Sequence, residues 1–133
     1  MIVVDATVVA TALLDDGDDG AVVRRRLVGE RLTAPELIDL EVLSVARRLT
    51  AAGTVSAERA QQAVTDLTDL RLRRVPHRPL LARAWELRHN LTSYDAAYVA
   101  LAEALGVSLL TGDQRLAAAP GLRCAVEVLI TSD

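Results

Sequence analysis

The chain has 133 residues, enough for one folded domain, and 51% of them are hydrophobic although only 2% are aromatic. All 15 lysine-or-arginine positions are arginines, which excludes Schiff-base chemistry, a P-loop lysine and a general-base lysine. The net charge of -3 supplies no overall basic field for nucleic acid, and the single cysteine, Cys124, excludes an internal disulfide and a cysteine metal cage.

The apolar segments and the N-terminal residues indicate in which cellular compartment the protein is expected. No stretch is long enough to span a bilayer, and the first residues, MIVVDATVV, lack the basic region of a signal peptide. We therefore expect a cytoplasmic enzyme or binding domain that has no membrane partner.

Short apolar segments alternate with helical patterns along the chain. In chain order, the predicted elements are strand Ile2–Val4, helices Ala6–Leu14 and Ala21–Val28, strand Leu32–Ala34, helix Pro35–Ala52, a helix capped by Ser56 and ending near Leu70, strand Leu72–Val75, helices Pro79–Asn90 and Tyr94–Leu105, and strands Val107–Leu110 and Ala125–Leu129. This alternation predicts an α/β fold, with a parallel sheet of about five strands and helices on both faces, in a single domain over residues 1–133.

The acidic run DDGDDG, from Asp15 to Gly20, lies between the first two predicted helices. It is superficially like a calcium-binding loop, but the ligand spacing and the closing glutamate are missing. We therefore predict a solvated loop there.

Two aspartates follow apolar strands. Asp5 comes directly after Ile2–Val4, and Asp113 follows the apolar segment that ends at Thr111-Gly112. Either aspartate is explained by capping the helix that comes next. Either also suits a functional site, because such sites gather at the carboxyl ends of parallel strands. The residues alone leave both interpretations open.

Glu41 leans toward the predicted inward stripe of its helix. It lies three residues after Ile38 and four before Val45, both of which belong to that stripe. Asp39 lies on the other flank and has the weaker claim to a functional role. The alternative for Glu41 is a border residue paired with Arg48 or another arginine.

Asp95 lies in the first turn of its helix, where the helix dipole favours an acid. It also borders the apolar stripe of Tyr98 and Leu101, whereas Glu103 falls on the predicted solvent side. Taken alone, Asp95 is explained slightly better by the dipole. Tyr98 and Trp85 are interpreted as core or dimer-interface residues.

The four acids mean more together than singly. Asp5 and Asp113 end strands, while Glu41 and Asp95 open helices that follow strand-end loops, so a parallel sheet brings all four to one edge. Crowded carboxylates repel one another unless a divalent cation neutralises them. Oxygen ligands without a histidine or cysteine cluster suit Mg²⁺ or Mn²⁺, and such an ion can activate water to attack a phosphodiester.

Three segments, IVVDAT, PELIDLEV and SYDAAYVALAEALGVSLLTGD, resemble the PIN-domain family, and within it the VapC-type ribonuclease toxins of bacterial toxin–antitoxin pairs. The resemblance runs from Met1 to the last strand and is most specific between Ser93 and Asp113. It implies a PIN-like three-layer sandwich. It also implies a metal-dependent endoribonuclease that hydrolyses RNA phosphodiesters as the toxin of a type II toxin–antitoxin pair.

The resemblance also implies site residues and partners. Four acids match the catalytic and metal-binding positions of the family: Asp5, Glu41, Asp95 and Asp113. Thr7 and Thr111 match supporting hydroxyl positions, and the implied cofactor is Mg²⁺ or Mn²⁺. Some members carry a further acid just after the fourth, where this chain has Gln114-Arg115, so the number of ions stays open. The implied partners are RNA, a second copy in a homodimer, and a small antitoxin that docks into the active-site groove.

Other protein classes that bind Mg²⁺ through acids fit this sequence less well. A signalling receiver domain also places acids around Mg²⁺, but it needs a lysine and an acidic pair after the first strand, where this chain has only Asp5. A phosphatase of the haloacid dehalogenase type needs a second aspartate at the position of Thr7. The alternative that stays open is a catalytically inactive PIN-like protein-interaction domain, against which the presence of all four acids argues.

Overall fold

The computed structural model describes residues 1–129. Its strands are β1 (Ile2–Val4), β2 (Leu32–Pro35), β3 (Leu72–Val75), β4 (Leu109–Thr111) and β5 (Val126–Val128). Its helices are α1 (Ala6–Leu14), α2 (Asp18–Leu27), α3 (Ile38–Ala51), α4 (Ala57–Asp69), α5 (Leu81–Glu86, preceded by a 3₁₀ turn at Arg78–Leu80), α6 (Ser93–Leu105) and α7 (Gln114–Ala118).

The five strands form one parallel sheet in the order β3-β2-β1-β4-β5. The central strand, β1, pairs with β2 through Ile2 and Leu32 and with β4 through Val3 and Leu109. All its residues are buried, as a continuous β-branched run predicts for a strand covered on both faces. The strand order reverses between β1 and β4, and such a switch point is where open α/β sheets bind ligands.

The helices and the sheet form a three-layer α/β sandwich, which confirms the predicted fold. Helix α1 packs with α2, α3 and α4, whereas α6 packs with α5 and against β1 and β2. The core is almost entirely aliphatic, and its largest fully buried side chain is Tyr98. No helix within residues 1–129 combines the length and the apolar character needed to cross a bilayer.

Helix α2 begins within the run DDGDDG, so the prediction of a solvated loop is wrong for the second half of that run. Helix α2 begins at Asp18, while the Asp15 carboxylate accepts the N–H groups of Gly17 and Gly20 at 2.8 and 3.1 Å. A Cβ at Gly20 would lie 1.9 Å from the backbone oxygen of Asp15, so glycine permits this close approach. Acids in the first turn of α2 are favoured by the helix dipole.

Helix α3 begins three residues later than predicted. Pro35 is the last residue of β2, and the next N–H, of Glu36, donates to the Val75 oxygen at 2.9 Å, which prolongs the contact with β3. At the start of α3, Nε2 of His77 accepts the N–H of Leu37 at 2.9 Å and satisfies a donor that the helix leaves free.

The helix predicted over Pro79–Asn90 is shorter than expected. Beyond Glu86 the backbone tightens into turns, in which the N–H of Leu87 bonds to the Ala84 oxygen at 3.1 Å and that of Asn90 to the Leu87 oxygen at 3.0 Å. The chain therefore turns early and delivers Thr92 as the cap of α6.

Candidate active site

Asp5 follows the central strand β1, and its carboxylate is shared between a helix cap and the neighbouring strand. The residue is only 6% exposed, and Oδ1 accepts the N–H of Val8 at 3.2 Å, which caps α1. The same oxygen accepts the Thr7 hydroxyl at 2.5 Å, and Oδ2 accepts the Thr111 hydroxyl. Capping therefore accounts for one of the three contacts, and the hydroxyls account for the others.

The pKa of Asp5 lies above its ordinary value because the carboxyl is buried. Hydrogen bonds from Thr111, Thr7 and the N–H of Val8 lower the pKa, while the charge of Asp95 adds to the rise. Burial thus makes the ionised form of Asp5 costly, and a positive partner would relieve that cost.

Thr7 and Thr111 tie the segment after β4 to Asp5. Thr111 is the buried last residue of β4, one position beyond the predicted end of that strand, and its hydroxyl accepts the N–H of Asp113 at 3.0 Å. The Thr7 hydroxyl oxygen accepts the N–H of Gly112 at 2.8 Å, and a Cβ at Gly112 would lie 3.1 Å from that oxygen. The two hydroxyls therefore place the Thr-Gly-Asp segment beside Asp5.

Glu41 is half-buried on the first turns of α3, and its Oε1 accepts the hydroxyl of Tyr98 at 2.6 Å. No arginine within residues 1–129 forms an ion pair with Glu41, so the alternative of a border residue paired with arginine is wrong. Burial raises the pKa of Glu41, the bond from Tyr98 lowers it, and the charges of Asp95 and Asp5 raise it further.

Tyr98 donates to Glu41 from within the core, where it is 1% exposed. Burial and the bond to Glu41 hold the pKa of the phenol well above its usual range. Tyr98 is therefore a neutral hydrogen-bond donor, and it anchors the carboxylate of Glu41 without neutralising its charge.

Asp95 is half-buried in the first turn of α6, where its N–H donates to the capping hydroxyl of Thr92 at 3.1 Å. Burial raises the pKa of Asp95 and the charge of Asp113 raises it further, while Thr92 and Arg115 lower it. The helix dipole and the neighbouring acids therefore act on the same carboxyl in opposite directions.

Asp113 caps α7 through the N–H of Arg115, at 2.9 Å. The Arg115 guanidinium also lies 3.3 Å from this carboxylate, and the pair is solvent-accessible, with side chains 31% and 92% exposed for Asp113 and Arg115 respectively. The bond from Arg115 holds the pKa of Asp113 below its usual value.

The four acids are linked electrostatically at one edge of the sheet, with Asp95 interacting with each of the other three. Asp95 acts on Asp5 and Glu41, Asp5 acts on Glu41, and Asp113 acts on Asp95. Three of the four pKa values are raised, mainly because the carboxyls are buried and in smaller part because neighbouring acids repel them. The structure therefore brings together every acid that the sequence singled out.

The types of donor at this edge fit Mg²⁺ or Mn²⁺, because they are carboxylates and hydroxyls without histidine or cysteine. Within residues 1–129, no three His, Cys, Asp or Glu side chains are arranged to hold a metal ion as they stand. The oxygens of Asp5 are engaged by threonine hydroxyls and those of Asp113 by Arg115. The donor chemistry fits a hard cation, whereas the present side-chain arrangement lacks a complete ligand set.

Two other predictions about side chains need correction. Glu103 does not face solvent, because it pairs with Arg83 at 2.6 Å and accepts the N–H of Arg123 at 2.7 Å. Trp85 is 68% exposed and carries the Arg88 guanidinium 4.5 Å from its ring centre, which excludes the core, while the alternative of a dimer interface stays a prediction. Asp39, the weaker candidate on α3, forms an ion pair with an arginine of β3.

An open groove of about 850 Å³ begins at Thr7 and runs between α1, α3 and the start of α4. Thr7 is the one candidate site residue that lines it, so the groove adjoins the acids without being centred on them. Arg48 and Arg59 lie along its wall, together with Val45 and Leu49. Asp15 and Asp16 also line the groove, and Arg59 pairs with Asp16 at 2.9 Å, so the groove offers apolar contacts together with the positive charge of Arg48.

Comparison with known proteins identifies the family. The PIN domain profile matches residues 2–122. The chain is 48% identical to Ribonuclease VapC1 of Mycobacterium tuberculosis over 128 residues, which cover 96% of each protein. It is 41% identical to Ribonuclease VapC9 of the same organism over 129 residues, which cover 97% of this chain and 98% of that protein.

Solved structures share the fold. Mycobacterium tuberculosis VapC20, described as a Sarcin-Ricin loop cleaving toxin, matches with a TM-score of 0.67 and 17% identity over 89% of this chain and 94% of that one. FitAcB from Neisseria gonorrhoeae matches with a TM-score of 0.62 and 16% identity, over 95% of this chain and 96% of that one. On the profile match and the full-length likeness to the VapC ribonucleases, the chain belongs to the PIN domain family.

Proposed function

We propose that this protein is a metal-dependent endoribonuclease that acts as the toxin of a type II toxin–antitoxin pair. The full-length relatives named as VapC ribonucleases support cleavage of RNA. The observation that carries the proposal is the set of four carboxylates at the carboxyl edge of the sheet, in which Asp95 acts electrostatically with each of the other three and Asp5 is buried. An RNA substrate in turn supports a cytoplasmic location.

Mg²⁺ or Mn²⁺ is the proposed cofactor, held by four acids: Asp5, Glu41, Asp95 and Asp113. When bound, the ion supplies an activated water and stabilises the charge that develops on the phosphodiester. Cation binding would also offset the cost of burying these charges and the repulsion between them, which together raise three of the pKa values at this edge.

The remaining residues of the site position these acids. The hydroxyls of Thr7 and Thr111 fix both oxygens of Asp5, so the orientation of this carboxylate does not depend on the bound ion. Arg115 is 92% exposed, so its release from Asp113 costs little, and that carboxylate is accessible to a competing cation. An exposed guanidinium beside the site is also placed to contact an RNA phosphate.

The proposed partners are RNA, a small antitoxin and a second copy of the chain in a homodimer. The groove that begins at Thr7 supports an antitoxin segment that combines apolar side chains with acidic ones, because Val45 and Leu49 line it together with Arg48. Growth arrest on expression of the chain alone, relieved by co-expression of the small neighbouring open reading frame, is the expected result.

The first test is RNA cleavage by protein stripped of metal with a chelator. We expect no cleavage until Mg²⁺ or Mn²⁺ is restored, and a loss of at least about a hundredfold in Asp5→Asn, since a metal-ligand change removes much of the transition-state stabilisation. Asp69→Asn is the matched control, because Asp69 is exposed at the end of α4, and it should cleave as the wild type does.

Two results would contradict the proposal. Cleavage that persists in the chelator excludes the metal dependence, and normal cleavage by Asp5→Asn excludes the assigned role of that residue. Absence of cleavage with either metal, in a protein that still binds its antitoxin, favours the alternative of an inactive PIN-like interaction domain.

A further inference from the structure

The hydroxyl of Tyr98 lies among the carboxylates of the site although no acid, metal or hydroxyl pattern in the sequence marks it. It is the largest fully buried side chain of the core, and its oxygen donates to Oε1 of Glu41 at 2.6 Å. Asp5 and Asp95 also act electrostatically on this phenol. Tyr98 thus connects α6 with α3 at the acidic edge.

A carboxylate at the position of Glu41 needs such an anchor. Its side chain has three rotatable bonds and starts from the border of a helix face, where Ser44 in the next turn is exposed. No arginine within residues 1–129 pairs with Glu41, so repulsion from Asp5 and Asp95 would drive the carboxylate toward solvent. The bond from Tyr98 opposes that movement.

We infer that Tyr98 is a positioning residue of the site: its phenol hydroxyl holds the Glu41 carboxylate toward the other acids in the orientation in which it binds the cation. The inference rests on the proposed function, because Tyr98 acts here through Glu41, which is a metal ligand under that proposal. Tyr98 is a suitable donor for this task, since it bonds to the ligand without contributing a positive charge that would compete with the ion.

The chain offers a matched pair of variants for the test. Tyr98→Phe removes one hydroxyl from a buried ring, and Tyr94→Phe removes one from a ring that is 65% exposed in the preceding turn of the same helix. Mn²⁺ binding to the full chain without RNA is measured by calorimetric titration. We expect Tyr98→Phe to weaken Mn²⁺ binding by about tenfold, the lower end of the range for partners of metal ligands, and Tyr94→Phe to leave it unchanged.

A double-mutant cycle separates positioning from a general structural effect. Glu41→Gln should weaken Mn²⁺ binding, and Tyr98→Phe should cause no further loss in the Glu41→Gln background, because the carboxylate that the hydroxyl positions is gone. Thermal unfolding of the same proteins checks that the phenylalanine ring still fills the core. A variant that melts near the wild type and binds Mn²⁺ weakly supports the inference.

The outcomes distinguish the two proposals. If Glu41→Gln weakens Mn²⁺ binding while Tyr98→Phe does not, or if Tyr98→Phe weakens it equally in both backgrounds, the role of Tyr98 is overturned and the metal site stands. If the wild type binds no Mn²⁺, or Glu41→Gln binds it as tightly as the wild type does, the proposed metal site fails and the inference fails with it.

Discussion

At the scale of single residues, the acidic edge is fixed mainly by hydroxyl donors. Asp5 takes the hydroxyls of Thr7 and Thr111, and Glu41 takes that of Tyr98. Neutral donors fix the position of a carboxylate without cancelling its charge, whereas an arginine would do both. This choice of partners holds Asp5 and Glu41 in place without a positive partner, whereas Asp113 pairs with Arg115.

Replacing Thr111 with valine tests the hydroxyl that reaches Asp5 from β4. The shape is retained, but Asp5 loses a donor and the N–H of Asp113 loses its acceptor, so we expect a loss of about 1–3 kcal/mol in the free energy of unfolding. The pKa of Asp5, measured by carboxyl NMR titration, should rise further because a bond that lowers it is gone. Since only the folded-state pKa changes, the destabilisation should grow as the pH rises through that pKa.

Thr33→Val is the matched control, since Thr33 is equally buried and its hydroxyl donates to the Arg73 oxygen at 3.1 Å, away from the acids. Thr33→Val should lower the free energy of unfolding without changing the pKa of Asp5. An unchanged Asp5 pKa in Thr111→Val would show that the hydroxyl from β4 does not stabilise the ionised form.

At the scale of elements, Glu103 joins α6 to the segments on either side of it. Its side chain is 11% exposed, pairs with Arg83 of α5 at 2.6 Å and accepts the N–H of Arg123 at 2.7 Å. Burial raises the pKa of Glu103, but the bonds from Arg83 and Arg123 outweigh it and hold the pKa below its ordinary value of 4.5. The ionised form of Glu103 therefore stabilises the packing of α5 on α6.

Glu103→Gln should lower the free energy of unfolding by about 2 kcal/mol at neutral pH, because charge-assisted hydrogen bonds between half-buried groups are lost. Because the pKa of Glu103 is lower in the folded state than in the unfolded state, its ionised form stabilises the fold above pH 4.5. This contribution disappears as the pH falls through the folded-state pKa. The difference between wild type and variant, measured by urea unfolding, should therefore shrink below pH 4.5.

Glu86→Gln provides the control on the same arginine. Glu86 lies 3.4 Å from Arg83 and is 58% exposed, so its loss should change the free energy of unfolding by less than about 1 kcal/mol. Equal effects of the two substitutions would contradict the structural role of Glu103.

At the scale of the whole molecule, the topology collects the acids. The sheet order reverses between β1 and β4, and Asp5 and Asp113 follow these two neighbouring strands. Helices α3 and α6 add Glu41 and Asp95 at the same edge. Repulsion among these groups is an energetic cost to the folded chain that a bound cation would offset.

A cation that binds the folded chain should therefore raise its melting temperature. At a Mn²⁺ concentration a hundred times the dissociation constant, we expect the free energy of unfolding to increase by about 2.7 kcal/mol, as measured by calorimetry. Because the pKa values of Asp5, Glu41 and Asp95 are raised, protons compete with the ion, and the gain should diminish as the pH falls toward the ordinary aspartate value. Asp69→Asn should keep the gain and Asp5→Asn should lose it. A gain that survives in Asp5→Asn would place the ion elsewhere.

Local patterns predicted most of the fold. The buried run at Ile2–Val4 and the capping residue Ser56 act within a few residues of their position, and each is found where the pattern placed it. Segment boundaries were predicted less well, because Pro35 is held in β2 by its pairing with β3. That pairing depends on a strand almost forty residues away in the chain.

The sequence by itself determined the α/β alternation and the four acids at strand and helix ends, because periodicity and capping are local properties. Only the tertiary structure decided which side chains meet. On the isolated helix α6, Tyr98 lies on an apolar stripe and Glu103 on a predicted solvent face. In the folded chain, Tyr98 bonds to Glu41 of α3 and Glu103 pairs with Arg83 of α5. A helical pattern carries no information about its neighbours, so these contacts follow from the packing of the whole chain.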